Sequence, residues 1–200
     1  MKIGCVIPAA GFSRRFGAAD KLTAEIDGTA LVRKVCEAVV ASQVAVCLVV
    51  TRPAAVNVVT ALLGLPISIV ENPQASSGMG TSIAAGFAAF DSSICGAFVL
   101  PADMPRMTPQ FLNQLIDRFG NEGRNKIIVP VTPRGEQRNP VLWPARHFEA
   151  LKTLDSEGGG KGLMHALQDQ IVWVEQDDAA LFADIDTPED FAHLQGGRIH

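Results

Sequence analysis

Phosphate chemistry needs backbone amides that can crowd an anion, cations that neutralise it and a carboxylate that holds a divalent metal. This chain groups all three. Residues 7–22 (IPAAGFSRRFGAADKL) leave an apolar run through Pro8, Ala9, Ala10 and Gly11, then present Arg14, Arg15 and Lys21. Small side chains let a backbone approach a ligand, and glycine takes positive φ without strain. A strand ending in such a loop suits a polyphosphate, with N–H groups on the oxygens and cations offsetting their charge. A tight strand-to-helix turn with solvated basic side chains fits the same composition. A Walker A loop is excluded, because no Gly-Lys-Ser/Thr follows the glycines, and Gly11 to Gly17 lacks the G-x-G-x-x-G of a dinucleotide fingerprint.

Asp103 directly follows the apolar run 97–100 and sits between Pro101 and Pro105, whose rings fix the backbone direction. Such a carboxylate suits Mg2+, which takes one or two carboxylates with phosphate oxygens. An Asx-turn residue capping the loop is the plainer alternative. Asp184 and Asp186 alternate about Ile185, so an extended segment points both to one face. Either can supply a second metal ligand, or both can decorate the start of the next helix. Asn72 and the turn 78–82 (GMGTS) precede a helix that Ser77 or Thr81 can cap. His147, His165, His193 and His200 show no metal spacing.

Ligands of open α/β sheets bind outside the carboxyl ends of the strands, and these segments follow apolar runs. Runs 3–7, 44–51, 66–70, 97–100 and 127–131 read as buried strands. Stretches 30–42, 53–63, 78–90 and 108–119 read as helices, with Pro53 near a first turn, Thr108 as N-cap and Pro109 at N1. The alternation predicts right-handed crossovers and an α/β three-layer sandwich with a mostly parallel central sheet. From Thr132 the texture changes. Residues 132–139 (TPRGEQRN) are polar, 140–143 short and apolar, and 155–162 (DSEGGGKG) a flexible glycine cluster. No long linker, repeat or low-complexity tail interrupts. One domain is expected over 1–200, with a core at 1–131 and a covering elaboration at 132–200. A helix over 187–194, capped by Thr187, closes it.

The 200 residues can bury a sizeable core. Seventeen basic and 21 acidic residues give a net charge of −4, with no basic excess to displace the counterions of a nucleic acid. Cys5, Cys36, Cys47 and Cys95 sit in apolar runs without C-x-x-C spacing and read as free buried thiols of a reducing compartment. The start runs straight into a strand, so no signal peptide is expected, and the longest apolar stretch, 44–50, is too short to span a bilayer. A cytoplasmic location follows.

The string A-A-G-x-S-x-R-F-G-x-x-x-K over residues 9–21 resembles the signature of nucleotidyltransferases with a GT-A-like (Rossmann-like) fold. That group includes molybdenum cofactor cytidylyl- and guanylyltransferases, methylerythritol-phosphate cytidylyltransferases and sugar-phosphate nucleotidyltransferases. The resemblance covers nearly the whole chain and leans to molybdenum cofactor cytidylyltransferases of the MocA/MobA type. It implies that Ala9, Ala10, Gly11, Ser13, Arg15, Gly17 and Lys21 wrap the triphosphate of an NTP, while Arg14 falls on a variable position. Asp103 matches the aspartate of D-x-P that binds Mg2+ between the nucleotide phosphates. The ending D-x-D-T-P-E-D favours Asp186 as the residue completing the metal site. Asn72, Gly78 and Ser82 match a base- and ribose-binding segment. Ala10 leans to CTP, since the guanylyltransferase branch usually carries A-G-G where this chain has A-A-G.

Residues 134–141 resemble a cytidylyltransferase run G-x-x-G-H-P-V, with Asn139 for the usual His and Arg138 for Gly. Lys161 stands at the Arg position of a later G-D-x-G-A-R run, and Met104 where Gln is frequent. Arg138, Asn139 and Lys161 would then face the acceptor. The resemblance thus implies an Mg2+-dependent transfer of CMP from CTP to a phosphorylated acceptor of the molybdopterin kind, with Arg15, Lys21 and Asp103 as catalytic residues. Transient contact with a molybdoenzyme or its chaperone is part of that picture, and neither nucleic acid nor membrane is. GTP, or an acceptor such as a sugar phosphate or phospholactate, remains an alternative on the same fold. So does a non-catalytic nucleotide-binding module for cofactor maturation. An NAD-binding dehydrogenase is disfavoured by the missing fingerprint.

Overall fold

The computed structural model describes residues 1–11, 21–155, 158–185 and 190–191. Ser13, Arg14, Arg15, Gly17, Asp186, His193 and His200 lie outside the described residues. So does the expected closing helix, except Asp190 and Phe191, which are helical.

In chain order the elements are β1 (Ile3–Pro8), a small hairpin of β2 (Glu25–Ile26) and β3 (Thr29–Ala30), α1 (Leu31–Val40), β4 (Val46–Thr51), α2 (Val56–Ala61), β5 (Ser68–Glu71), α3 (Met79–Ala88), β6 (Gly96–Val99), α4 (Pro109–Asn121), β7 (Ile127–Val131), β8 (Val141–Pro144), α5 (Phe148–Leu151), α6 (Lys161–Ala166) and β9 (Ile171–Glu175). The main sheet runs β5-β4-β1-β6-β8-β7-β9. All its pairings are parallel except those of β8, which lies antiparallel to both β6 and β7. This is the expected three-layer α/β architecture with a mostly parallel sheet.

The five expected strands and four expected helices all form, with ends shifted by a few residues. α2 begins at Val56 rather than at Pro53, because Ala54 takes a left-handed φ of 57° and breaks the helical path. β8 and β9 were not expected as strands. Lys161, expected in a glycine-rich loop, opens α6.

β1 is buried on both faces, and its alternation sorts its side chains between two apolar layers. Ile3, Cys5 and Ile7 join the layer under α1 and α4, whereas Val6 joins the layer under α3 and α5. α1 buries Leu31, Val32, Val35, Cys36 and Val39 along one helical stripe and turns Arg33 and Glu37 outward, 2.8 Å apart. α4 starts where Thr108 accepts a hydrogen bond from the Phe111 amide at 3.2 Å, with Pro109 at N1, and buries Phe111, Leu112, Leu115, Ile116 and Phe119.

α3 presses on β1 and β4 through Gly86. A Cβ there would overlap the Val6 side chain, lying 2.8 Å from its Cγ2 and 3.2 Å from Val50 Cγ2. Among the described residues no helix is long and apolar enough to cross a membrane.

The cysteines are all free. Cys5 and Cys47 are register partners on β1 and β4, and Cys36 of α1 packs into the same layer. Burial, then the neighbouring Cys47, pushes the Cys5 thiol up. A hydrogen bond with Cys47, reinforced by burial, does the same for Cys36. Thiolate is the reactive form. A thiol-reactive disulfide dye should therefore modify the half-buried Cys95 first in the native protein and reach the other three only on denaturation. Gly86→Ala should lower stability by about 1–2 kcal/mol, overpacking exceeding the gain in helix propensity. A urea titration followed by circular dichroism would read that change.

Candidate functional site

The carboxyl ends of β1 and β6 are neighbours because the two strands pair in parallel from Ile3↔Gly96 to Val6↔Val99. After β1, Ala9 and Ala10 stay buried, and the Ala9 amide bonds the Val50 carbonyl at 2.7 Å. Gly11 emerges to solvent, and Arg52 donates to its carbonyl at 3.1 Å. Lys21 opens a short 3-10 turn over Lys21–Thr23 and reaches back across the strand ends. Its Nζ lies 2.8 Å from Asp103 Oδ2, with side-chain exposures of 10% and 25%. The loop after β1 and the loop after β6 are thus tied by one ion pair.

The Asp103 carbonyl accepts from the Ile185 amide at 3.1 Å, which holds the segment around Ile185 beside it. Asp184 consequently lines the same cavity as Asp103. Among the described residues no cluster of three or more His, Cys, Asp or Glu side chains could hold a metal ion. One or two carboxylates facing open space fit a hard cation such as Mg2+, which completes its shell with phosphate and water oxygens. Asp103 and Asp184 are the described residues that could supply them.

The third segment is organised by Asn72, which is 3% exposed. Its amide nitrogen donates to Thr81 Oγ1 at 2.9 Å and Ser82 Oγ at 3.0 Å, and its oxygen accepts from the Gln74 amide at 2.9 Å. The amide is engaged at both ends, so it braces the loop from 72 to 82 against the first turn of α3. Neither Ser77 nor Thr81 caps α3, whose N-cap is Gly78. Gly78 has φ 127° and ψ 170°, a conformation only glycine adopts readily. Thr81 Oγ1 lies within hydrogen-bond reach of the Gln74 and Gly78 carbonyls.

Two cavities open over this end of the sheet. One, of about 370 Å³, brings together Ala10, Gly11, Lys21, Gly78, Ser82 and Asp103. Ala9 is buried beneath it and Asn72 braces its wall. The other, of about 450 Å³, brings Arg138, Asn139, Lys161 and Asp184 to the opposite side of Asp103. Pro8, Met79, Pro101 and Asp103 line both. Arg138 also pairs with Glu136 at 2.5 Å. Asn139 precedes Pro140 through a cis peptide bond.

Sequence reasoning missed the apolar wall of the second cavity. Ile83, Val141, Trp143, Leu151 and Met164 carry no sign that separates a cavity wall from ordinary core. Met79, 51% exposed in the first turn of α3, was the one hint, since a large apolar residue beside a glycine turn has little reason to face water.

The family model of the MobA-like NTP transferase domain matches residues 5–189. No curated protein matches the chain. Among solved structures, Rv0371c from Mycobacterium tuberculosis is 22% identical, covers 98% of this chain and 97% of its own, and superposes with a TM-score of 0.82. Rv0371c has also been solved in complex with manganese. A Methanothermobacter nucleotidyl transferase is 20% identical with a TM-score of 0.82, over 98% and 97% of the two chains. The 4-diphosphocytidyl-2C-methyl-D-erythritol synthase of Anaerococcus prevotii is 14% identical with a TM-score of 0.76, over 98% and 95%. These likenesses share the fold, and the family match spans nearly the whole sequence: the chain belongs to the MobA-like NTP transferase domain family of nucleotidyltransferases.

Proposed function

We propose that this protein transfers CMP from CTP to the terminal phosphate of an acceptor of the molybdopterin class, with Mg2+ as its cation, and releases pyrophosphate. The observation that carries this reading is the place of Asp103, on the shared wall of two cavities and 2.8 Å from Lys21. Nucleotide in one cavity and acceptor in the other would meet at that carboxylate. Ala10, 3% exposed at the edge of the nucleotide-side cavity, narrows it and favours the smaller pyrimidine. The cytidylyl chemistry named for the Anaerococcus relative supports the same nucleotide, and the manganese complex of Rv0371c supports a divalent cation.

The acceptor phosphate is already ionised near neutral pH, so no general base is needed. Its oxygen attacks the α-phosphorus, the new P–O bond forms as the α–β anhydride bond breaks, and the electron pair leaves with pyrophosphate. Catalysis then consists of positioning and charge neutralisation. The amides around Gly11, the Lys21 ammonium and the Arg15 guanidinium hold the triphosphate and its leaving end, with Ser13 and Gly17 completing the loop. Asn72 holds the turn from which Gly78 and Ser82 contact the nucleoside. Arg138, Asn139 and Lys161 orient the acceptor. Asp103, together with Asp184 or Asp186, would hold Mg2+, which supplies charge neutralisation at the phosphates when bound. The protein would work in the cytoplasm and hand its product to a molybdoenzyme or that enzyme's chaperone.

Pyrophosphate release measured with Mg2+ and each of the four NTPs, with and without molybdopterin, tests the whole reading. Release is expected with CTP only when molybdopterin is present, and nucleotide binding without release in any mixture would sink it. Asp103→Asn should lose most turnover with native circular dichroism, at some cost in melting temperature because its ion pair with Lys21 is lost. Near-normal activity in that variant would remove the carboxylate from the mechanism. Lys21→Met should lower kcat/KM by roughly 10²–10³-fold, the scale of losing one charged stabiliser of a developing anion. A loss confined to folding stability would instead make Lys21 a structural partner of Asp103.

A further inference from the structure

The sheet ends on two edge strands of different character. β5, at one edge, lies between Pro66 and Pro73, and proline is a common guard against edge-to-edge pairing. β9, at the other, runs into residues 171–178 (IVWVEQDD), which hold no proline, lysine or glycine.

The backbone of β9 can be followed group by group. Gln176 donates to the Val131 carbonyl at 3.0 Å, and in the parallel register with β7 this turns the N–H and C=O of Val172, Val174 and Gln176 inward. The backbone groups of Ile171, Trp173 and Glu175 therefore point away from the sheet. The Ile171 amide is used by the Gln168 carbonyl. Among the described residues nothing bonds the Ile171 carbonyl or either backbone group of Trp173 and Glu175. Val172 and Val174 pack into the layer under α4, whereas Trp173 joins neither apolar layer and is 50% exposed. Beside it an open cleft of about 690 Å³ runs to the polar face of α4, with Gln114, Asp117 and Arg118 on its far wall.

The two ends of this edge carry opposite charge. At the amino end, Lys126 donates to the Asp169 carbonyl at 3.4 Å and Arg146 to Gln170 Oε1 at 2.6 Å, both at the surface, with the Asp169 side chain as the one carboxylate beside them. At the carboxyl end, Glu175, Asp177 and Asp178 are exposed, and among the described residues none of the three has a cationic partner. A strand of the same charge pattern laid parallel would put like beside like. Laid antiparallel, it puts the acidic end of each chain against the basic end of the other. A second copy of this chain does so by symmetry, twice.

We propose that β9 is the docking edge for a second copy of this chain, paired antiparallel about Trp173 so that one sheet runs through both molecules. With the two-fold axis at Trp173, each Trp173 exchanges N–H···O bonds with its counterpart, and each Glu175 amide reaches the other copy's Ile171 carbonyl. The two indoles meet across the pair, while the two Glu175 carboxylates stand apart, each near the other copy's Arg146. β8 and β7 separate β6 from this edge, so the cavities around Asp103 stay open in both copies. Two five-residue strands and two tryptophans make an interface at the small end of the range, which corresponds to a dissociation constant in the micromolar range.

Sedimentation velocity on the full chain, at low salt and over a concentration series reaching the millimolar range, reads the association. The expected species has twice the mass of the chain and dissociates as salt is added. Trp173→Lys should weaken it by at least about tenfold with native circular dichroism, since a charge on an edge strand opposes pairing. Glu175→Lys and Arg146→Glu, both at exposed positions, should each weaken it by about tenfold, and the double variant, which exchanges the two charges across both contacts, should recover most of the loss. A fold defect cannot produce that recovery, so the charge exchange decides even where Trp173→Lys folds poorly. A chain that stays monomeric throughout the series, or a dimer that all three single variants leave as tight as before, would overturn the proposal. A double variant weaker than either single one would overturn the antiparallel arrangement.

Discussion

The ion pair between Lys21 and Asp103 is the contact on which the site depends. It joins two loops that are 82 residues apart in sequence and leave the sheet side by side. Its geometry rests on the parallel register of β1 and β6, since a slip of one residue would move both loop exits and exchange the faces of every side chain on the strands. Within the pair each charge offsets the cost of withdrawing the other from water. A surface ion pair would be worth little. Here the side chains are mostly buried, so breaking one half would leave the other in a poorly solvated cleft.

The reversed strand β8 explains how the second half of the chain reaches the same spot. In a wholly parallel sheet the strand beside β6 would bring its carboxyl end to the site and send the segment before it to the far edge. Because β8 runs antiparallel, Val141 at its start pairs with Val99 at the end of β6. Arg138 and Asn139, just upstream, are therefore delivered beside Asp103. The same strand lends Val141 and Trp143 to the wall of the cavity beside Asp103, while Leu142 joins the core on its other face.

Much of this was legible in the residues. The run of apolar β1, the stripe of α1, and Thr108 with Pro109 at the start of α4 each encode one element by period or cap, and each formed as expected. Asp103 stood out because prolines flank it and a buried strand precedes it. What stayed hidden shares a physical cause. β8 is four residues long, too short to show a period, and nothing local distinguishes antiparallel from parallel pairing. β9 follows a stretch whose glycine cluster reads as loop, although part of it forms α6. The bonds of Asn72 are tertiary: the family resemblance implied contact with a nucleoside, but only the folded loop reveals that both ends of its amide are engaged in bracing α3. The cavity walls are apolar residues that look like core because most of their surface is core.

Charge placement links the fold to the chemistry. The chain carries a net charge of −4, yet the cavity walled by Trp143 gathers Arg138 and Lys161, and the cavity beside Gly11 holds Lys21. A small polyanion needs local complementarity rather than a basic protein, because interactions between exposed charges fade beyond roughly 10 Å in physiological salt. The cations come from three separate segments: the turn after the first loop, the polar stretch before β8, and the start of α6. None alone exceeds what an ordinary surface carries. Gathered at the end of the sheet where Asp103 and Asp184 lie, they give an acidic protein a locally basic rim.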